Sequence, residues 1–496
     1  MKTAAHTSVA LDDIQGIVRF GYKHHSQASL LLLRVKDREA ARAWLAAAPV
    51  TSAASIAPLP ATALQLALSS EGLAALGVPR EIVEGFSAEF IAGMGSDASR
   101  ARRLGDVDAN APTAWRWGVG NATPHVLLML YALPGHLAAW QAEIERQCAA
   151  GFTTLARWPC GDLRGVEPFG FVDGISQPEL DWQRTRPAQD AEQPGYANRT
   201  CLGEFLLGYP NEYGGYTDRP LLDPQHDRQG LLPRAEDAPD QADLGRNGSY
   251  LVLRQLQQDV PGFWQWVDHQ AGGDPTRREQ LASAMVGRTR DGVPLAQTPP
   301  PATGAAVDLN DFSFDPDPCG VRCPLGAHVR RANPRSADLP PGNPGVLSWF
   351  KRTLGFDSEA LGLDLVASTR FHRLLRRGRA YGQPVPQAEA LQNRAGTDET
   401  GLFFICLNAN IARQFEFVQS AWLAGTHFNG LRNESDPLLG TRGATPEGRP
   451  TDGFSMPQAQ GADQCLHGLP QFVTLRGGAY FFLPGIRALR YLAQAR

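Results

Sequence analysis

Four stretches of the chain set reactive side chains among turn-forming or small neighbours. In GFVDGISQP, Asp173 stands between Gly170 and Gly174, a tight turn that lets backbone come close to something bulky. An Asp-Gly pair is equally at home in an ordinary turn. In CPLGAHVRRANPR, His328 follows the small Gly326 and Ala327 and precedes Arg330, Arg331 and Arg335. A neutral imidazole so presented can ligate a metal or a haem iron, and the arginines can clamp carboxylates such as haem propionates. A capping or core histidine beside a solvated basic face fits the same residues. FHRLLRRGRAYG sets Arg373, Arg376, Arg377 and Arg379 ahead of a glycine turn. Leu374 and Leu375 read as strand interior there, so Arg376 or Arg377 faces a polar cavity or solvent. The fourth stretch, GLFFICLNANIARQFEFVQSAW, reads as a buried strand and then a helix, with Leu402 and Phe404 on one strand face and core packing as their plainest role.

Other chemistries find no support. The chain carries no Walker loop, no GxGxxG after a strand, no HExxH and no GxSxG. Of the 11 histidines, those besides His328 show no metal-ligand spacing. Cys319 and Cys323 lie close together without a second Cys/His pair at zinc spacing. With 47 Lys+Arg against 51 Asp+Glu the net charge is -4, too balanced for a nucleic-acid or anionic-membrane surface. Seven cysteines in 496 residues predict free thiols rather than a disulfide framework. The N-terminus has acidic residues by position 12 and does not read as a secretory signal, and the apolar run from Val126 to Leu133 is too short to span a bilayer. A cytoplasmic protein is the expectation.

The elements that must hold these residues follow from apolar patterning. Strands are predicted at 29–35, 63–69, 125–133, 203–209, 249–256, 401–408 and 478–485. Helical patterns follow those ending at Val35, Leu133, Leu256 and Asn408, two in each half of the chain. Two strand–helix units per half predict an α+β fold of two ferredoxin-like domains, duplicated β-α-β units with antiparallel sheets. The boundaries are 1–213 for an N-terminal domain carrying the Asp173 turn, 214–247 for a loop or linker, and 248–496 for a C-terminal domain. Residues 183–200, 214–247 and 287–320, the last including TPPPATG, are rich in loop-forming residues and carry no periodicity.

In this order, the four stretches resemble the dye-decolourising peroxidase (DyP-type) family. GFVDG matches its signature, AHVRRANPR is similar to its haem-ligand segment, and LLRRGRAYG is similar to its distal-arginine segment. GEFLLGYPNEYGG and LDDIQGIVRFGY are also similar to family segments, so the match runs from about residue 11 to the C-terminus, and the length resembles the larger, loop-extended branch. The resemblance implies one haem b per chain, held mainly by the C-terminal domain. It implies reduction of hydrogen peroxide through a ferryl intermediate and oxidation of bulky donors such as dyes and phenolics. His328 would be the proximal iron ligand, Asp173 the distal carboxylate, and Arg376, which follows the Leu-Leu pair, the distal arginine in preference to Arg377. Arg330 would help bind the cofactor, and Leu402 and Phe404 would line the distal pocket. The acid behind His328 falls in NESDPLLG as Asp436, with Glu416 as the alternative. Tyr381 and Trp422 occupy positions resembling oxidisable aromatics of some members. The expected partners are peroxide and small organic reductants, with no nucleic acid and no membrane, for a monomer or homo-oligomer. The competing expectation is a haem-binding, deferrochelatase-like protein with little turnover.

Overall fold

Runs of apolar residues, most of them buried on both faces, become the strands of one sheet. They are β1 (Gln27–Val35), β2 (Thr62–Leu68), β3 (Val126–Ala132), β4 (Phe152–Cys160), β5 (Ser249–Gln258), β6 (Leu375–Arg376), β7 (Arg379–Tyr381), β8 (Gly401–Asn408) and β9 (Val473–Leu483). The computed structural model describes residues 8–54, 58–161, 165–185, 198–297, 308–335, 369–392, 398–445 and 448–494. Among these the sheet order is β6-β8-β5-β9-β2-β3-β1-β4, with β7 also on β8 and all pairings antiparallel. Counted within each half, with β6 and β7 taken as one interrupted strand, both halves follow one order, second-third-first-fourth. They join through β9 and β2 at the single pairing Phe482↔Leu68. At the far edges, Gly161 N–H donates to the Ala380 carbonyl at 2.8 Å, so the end of β4 reaches β7 and the sheet curls on itself.

Alternation sends successive side chains to opposite faces. Leu30, Leu32, Leu127, Met129, Leu251, Phe403, Ile405 and Phe481 pack together on one face. Leu31, Leu33, Leu128, Val252, Leu475 and Phe482 meet the helices on the other. Helix Arg38–Ala47 follows β1 and is capped by Asp37, which accepts from Ala40 N–H at 2.8 Å. Helix Leu137–Cys148 follows β3, and helix Val260–Gln270, capped by Asp259, follows β5. After β8 the predicted helix forms as two wide, π-type turns, Ala412–Glu416 and Val418–Leu423. Their i→i−5 bonds run from Glu416 N–H to Ile411 O and from Ala424 N–H to Gln419 O, 2.9 Å each.

Three sequence expectations change. Residues 203–209 are not a strand: Leu202–Glu204 is a 3₁₀ turn, and Phe205 and Leu206 insert into the inner core. The buried Glu204 carboxylate there accepts from Glu212 N–H at 2.9 Å and Arg413 Nη2 at 2.7 Å, bonds a ladder would not give it. Strand β4 was not predicted, because Thr153, Thr154 and Arg157 break the apolar run and Pro159 sits near its end. As the edge partner of β1 it tolerates that proline. Residues 214–247 are irregular but not a slack linker. Arg219 Nε donates to Asp243 at 2.6 Å, and Glu236 takes Arg184 and Arg246 at 2.7 Å each. TPPPATG and residues 186–197 of the first loop lie outside the described residues. Among the described residues no helix is long and apolar enough to cross a membrane.

Candidate active site

A cavity of about 1950 Å³, its open mouth included, lies between the helix-facing side of the C-terminal half of the sheet and the loops that cross it. His328, Asp173, Arg376, Leu402 and Phe404 all line it. They come from a short helix, a glycine turn and two neighbouring strands.

His328 opens the helix His328–Ala332. Its Nδ1 lies 3.0 Å from Asp436 Oδ2, while 27% of its side chain is open and Asp436 is wholly buried. No hydrogen bond engages Nε2 among the described residues, so that nitrogen is left for a ligand. The other Asp436 oxygen accepts from Leu438 and Leu439 N–H at 2.9 and 2.8 Å. Burial pushes the Asp436 carboxyl up, but His328, Arg331 and the Leu439 N–H outweigh it and hold it below the ordinary value. Burial alone would lower His328; the Asp436 carboxylate reverses this and raises it. Glu416, the alternative acid, is engaged elsewhere, accepting from the Tyr480 hydroxyl and contacting Arg100 at 2.9 Å each.

Arg331 is fully buried and ties this helix down. It donates to the carbonyls of Trp422 at 2.7 Å and Glu434 at 3.2 Å, and to that of Gly425. Arg335 likewise holds the carbonyls of Asn310 and Phe312. Arg330 corrects the expectation of a cofactor clamp. Its guanidinium donates to the Cys323 and Asp317 carbonyls at 2.8 Å and lies 3.3 Å from the Asp317 carboxylate. It is not part of the cavity wall, because the loop before His328 needs those buried carbonyls satisfied. Among the described residues the arginines that line the wall are Arg254, Arg288, Arg373 and Arg376. Of these, Arg254 and Arg288 gave no sequence signal, since a strand arginine and a loop arginine have no distinguishing neighbours.

Asp173 sits on the turn made by Gly170 (φ 97°) and Gly174 (φ 75°), backbone that favours glycine at both positions. Arg376 Nη1 donates to Asp173 Oδ1 at 3.0 Å and Gly174 N–H to the same oxygen at 2.6 Å. A third of each side chain, 33% for Arg376 and 34% for Asp173, is open. Burial raises the Asp173 carboxyl, but Arg376 and the Gly174 N–H outweigh it, and the net shift is downward. Arg377 points to the other side of the strand, donating to the Ile17 and Val18 carbonyls at 2.7 and 2.9 Å. Alternation along β6 decides between the two neighbours.

Tyr381 and Trp422 are both buried. Tyr381 packs on Phe403 and donates to Glu399 at 3.0 Å, on the sheet face away from the cavity. Trp422 lines the cavity and packs on Phe417 and His372.

No protein-family model matches the chain. Whole-chain comparison does find relatives. The dye-decolorizing peroxidase msp1 of Mycetinis scorodonius is 28% identical over 513 residues, covering 97% of this chain and 87% of its own. The multifunctional dye peroxidase DyP2 of Amycolatopsis sp. is 28% identical over 443 residues, covering 86% and 82%. The crystal structure of a fungal DyP-type peroxidase from Auricularia auricula-judae matches with a TM-score of 0.72 at 26% identity, over 98% of this chain and 100% of that one. In both sequence and α+β fold, and along most of its length, the chain is similar to DyP-type dye-decolorizing peroxidases.

Proposed function

We propose that the chain binds one haem b between His328 and the Asp173–Arg376 pair, reduces hydrogen peroxide there and oxidises bulky organic donors such as dyes and phenolics. The observation that carries this is one cavity holding both a carboxylate-backed imidazole with a free Nε2 and an aspartate–arginine pair. The donor set fits haem. His328 offers a nitrogen whose basicity Asp436 increases, Leu402, Phe404, Leu438 and Leu439 give apolar walls, and wall arginines suit propionates. Haem supplies the iron at which peroxide is bound and its O–O bond cleaved.

The protein's own part is proton movement and exclusion. Asp173, ionised because Arg376 faces it, takes the proton from one peroxide oxygen and returns it to the other. Arg376 stabilises the negative charge that develops on the departing oxygen. Asp436 accepts a hydrogen bond from His328 Nδ1–H and so fixes its tautomer and orientation. Leu402 and Phe404 narrow the space beside Asp173 so that peroxide fits and a dye does not. Bulky donors therefore react at a distance, and Tyr381 and Trp422 are candidates to pass their electrons inward.

The same proposal takes the halves 1–213 and 248–496 as two ferredoxin-like units. The repeated strand order supports it, as does the supply of His328, Arg376, Leu402, Phe404 and Asp436 by the second half alone. A cytoplasmic location belongs to it too, supported by a cysteine content of seven in 496 residues, low and odd for a disulfide framework.

The deciding measurement is the absorption spectrum of purified, haem-supplemented protein before and after one equivalent of peroxide, for wild type and His328→Ala. The expected result is a haem spectrum that responds to peroxide and is lost or grossly altered in the variant. Haem binding with no response to peroxide would instead leave a haem carrier, and no haem binding would overturn both.

A further inference from the structure

Behind the cavity wall lies a buried phenol whose partner is more than a hydroxyl group needs. Tyr480 on β9 is 2% exposed, and its hydroxyl donates to Glu416 Oε1 at 2.9 Å. Arg100 Nε lies 2.9 Å from that same oxygen, and Arg254, paired with Asp106, is the next cation. The Tyr480 ring meets Phe415 edge-on at 6.1 Å between centroids, and Phe415, 6.2 Å from Phe404, lines the cavity. Leu475 and Val473, from the same strand, line it as well.

A neutral acceptor is enough for a buried tyrosine; Tyr209 uses the Asn247 side-chain oxygen at 2.6 Å. A buried carboxylate costs desolvation and requires its own cation. What a carboxylate adds is the capacity to accept the proton. Burial pushes the Tyr480 phenol well above its usual pKa, so the hydroxyl is protonated at rest. A phenol losing an electron in a dry interior can lose its proton only to a base already hydrogen-bonded to it. Tyr216 and Tyr381 also donate to carboxylates, to Glu236 and Glu399. Tyr216 lies in the 214–247 segment and Tyr381 on the far face of the sheet; neither packs on a residue of the cavity wall as Tyr480 does.

We infer that Tyr480 is an internal one-electron donor to the cofactor cavity, with Glu416 as its proton acceptor. This rests on the peroxidase reading above, in which peroxide is the two-electron oxidant. One electron passes from the Tyr480 ring to the haem site that peroxide has oxidised, and the hydroxyl proton moves to Glu416 Oε1. A neutral phenoxyl radical remains, and the haem site is reduced by one electron. When an external donor returns an electron to Tyr480, Glu416 returns the proton.

The test is freeze-quench electron paramagnetic resonance of the haem-loaded protein after one equivalent of peroxide, with absorption recorded in parallel. Wild type grown with ring-deuterated tyrosine should give a tyrosyl signal of collapsed hyperfine structure, and Tyr480→Phe should lose that signal while haem still responds to peroxide. Glu416→Gln keeps an acceptor oxygen but no base, and its signal should build up about 10²-fold more slowly, the low end of what a positioned proton acceptor contributes. A wild type whose haem responds to peroxide without any tyrosyl signal, or an unchanged signal in Tyr480→Phe, overturns the inference and leaves the peroxidase reading standing. A haem that does not respond to peroxide overturns both.

Discussion

Asp173 and Arg376 carry the proton chemistry in the proposed function, and their pairing has a measurable consequence for pH. The carboxyl is depressed, so it stays ionised to below its usual range and protonates only as pH falls through the lowered value. A rate that needs the carboxylate persists into acid and is lost below that point. With Arg376→Leu, burial is left without its main opponent, and the acid limb of the peroxide rate should move to higher pH, as a stopped-flow pH profile would show. Asp173→Asn should keep haem and slow the peroxide reaction about 10²–10⁴-fold, the contribution of a positioned proton shuttle. Asp436→Asn acts through His328 instead. It should weaken haem binding about 10–100-fold, read by titration with haem, because a ligating imidazole loses the partner that orients it.

At the scale of elements, the helix that presents His328 is only five residues long and has no side-chain cap. Its position comes from Arg331, whose guanidinium reaches three carbonyls across the π-type turns and the loop before Asp436. Arg331→Met leaves those carbonyls buried and unpaired. The expected cost is at least about 3 kcal/mol in denaturant unfolding, since hydrogen bonds to charged groups are worth about 1.5–3 kcal/mol each. The wide turns matter for a related reason. They place Phe415, Val418, Gln419, Trp422 and Leu423 along one wall of the cavity, and the helical pattern after β8 did not reveal that their bonds would run i→i−5.

Across the whole molecule, the two halves share more than their one ladder contact. Phe482 of the second half packs against Phe86 of the first at 4.7 Å and joins a core that draws on both. Far-UV circular dichroism and tryptophan fluorescence should therefore report one coincident unfolding transition. Phe482→Ala should destabilise it by about 3–5 kcal/mol, the range for losing a buried aromatic ring. Separate transitions for the two probes would show the halves to be energetically independent.

Much of this protein was legible in one dimension. Period-two and helical patterns located β1–β3, β5, β8, β9 and three of the helices, because burial of alternating or periodic apolar faces is a local property of sequence. His328, Asp173 and Arg376 stood out because glycines and small residues must surround groups approached by something large. Other features depended on partners remote in sequence. Whether Arg376 or Arg377 faces the cavity, and whether Asp436 or Glu416 meets His328, is decided by strand register and by packing between residues 203 and 108 positions apart. The 203–209 segment has the composition of a strand, yet Glu204 finds its partners in Arg413 and Glu212 and the segment coils instead. Arg330 looked like an anion clamp in its string of basic residues, and the fold directs it to Asp317 and backbone carbonyls. Residue type and local spacing thus set what chemistry was available. Tertiary structure alone decided which charged groups face one another, because a buried charge must be paired by whatever the fold brings within about 3–4 Å.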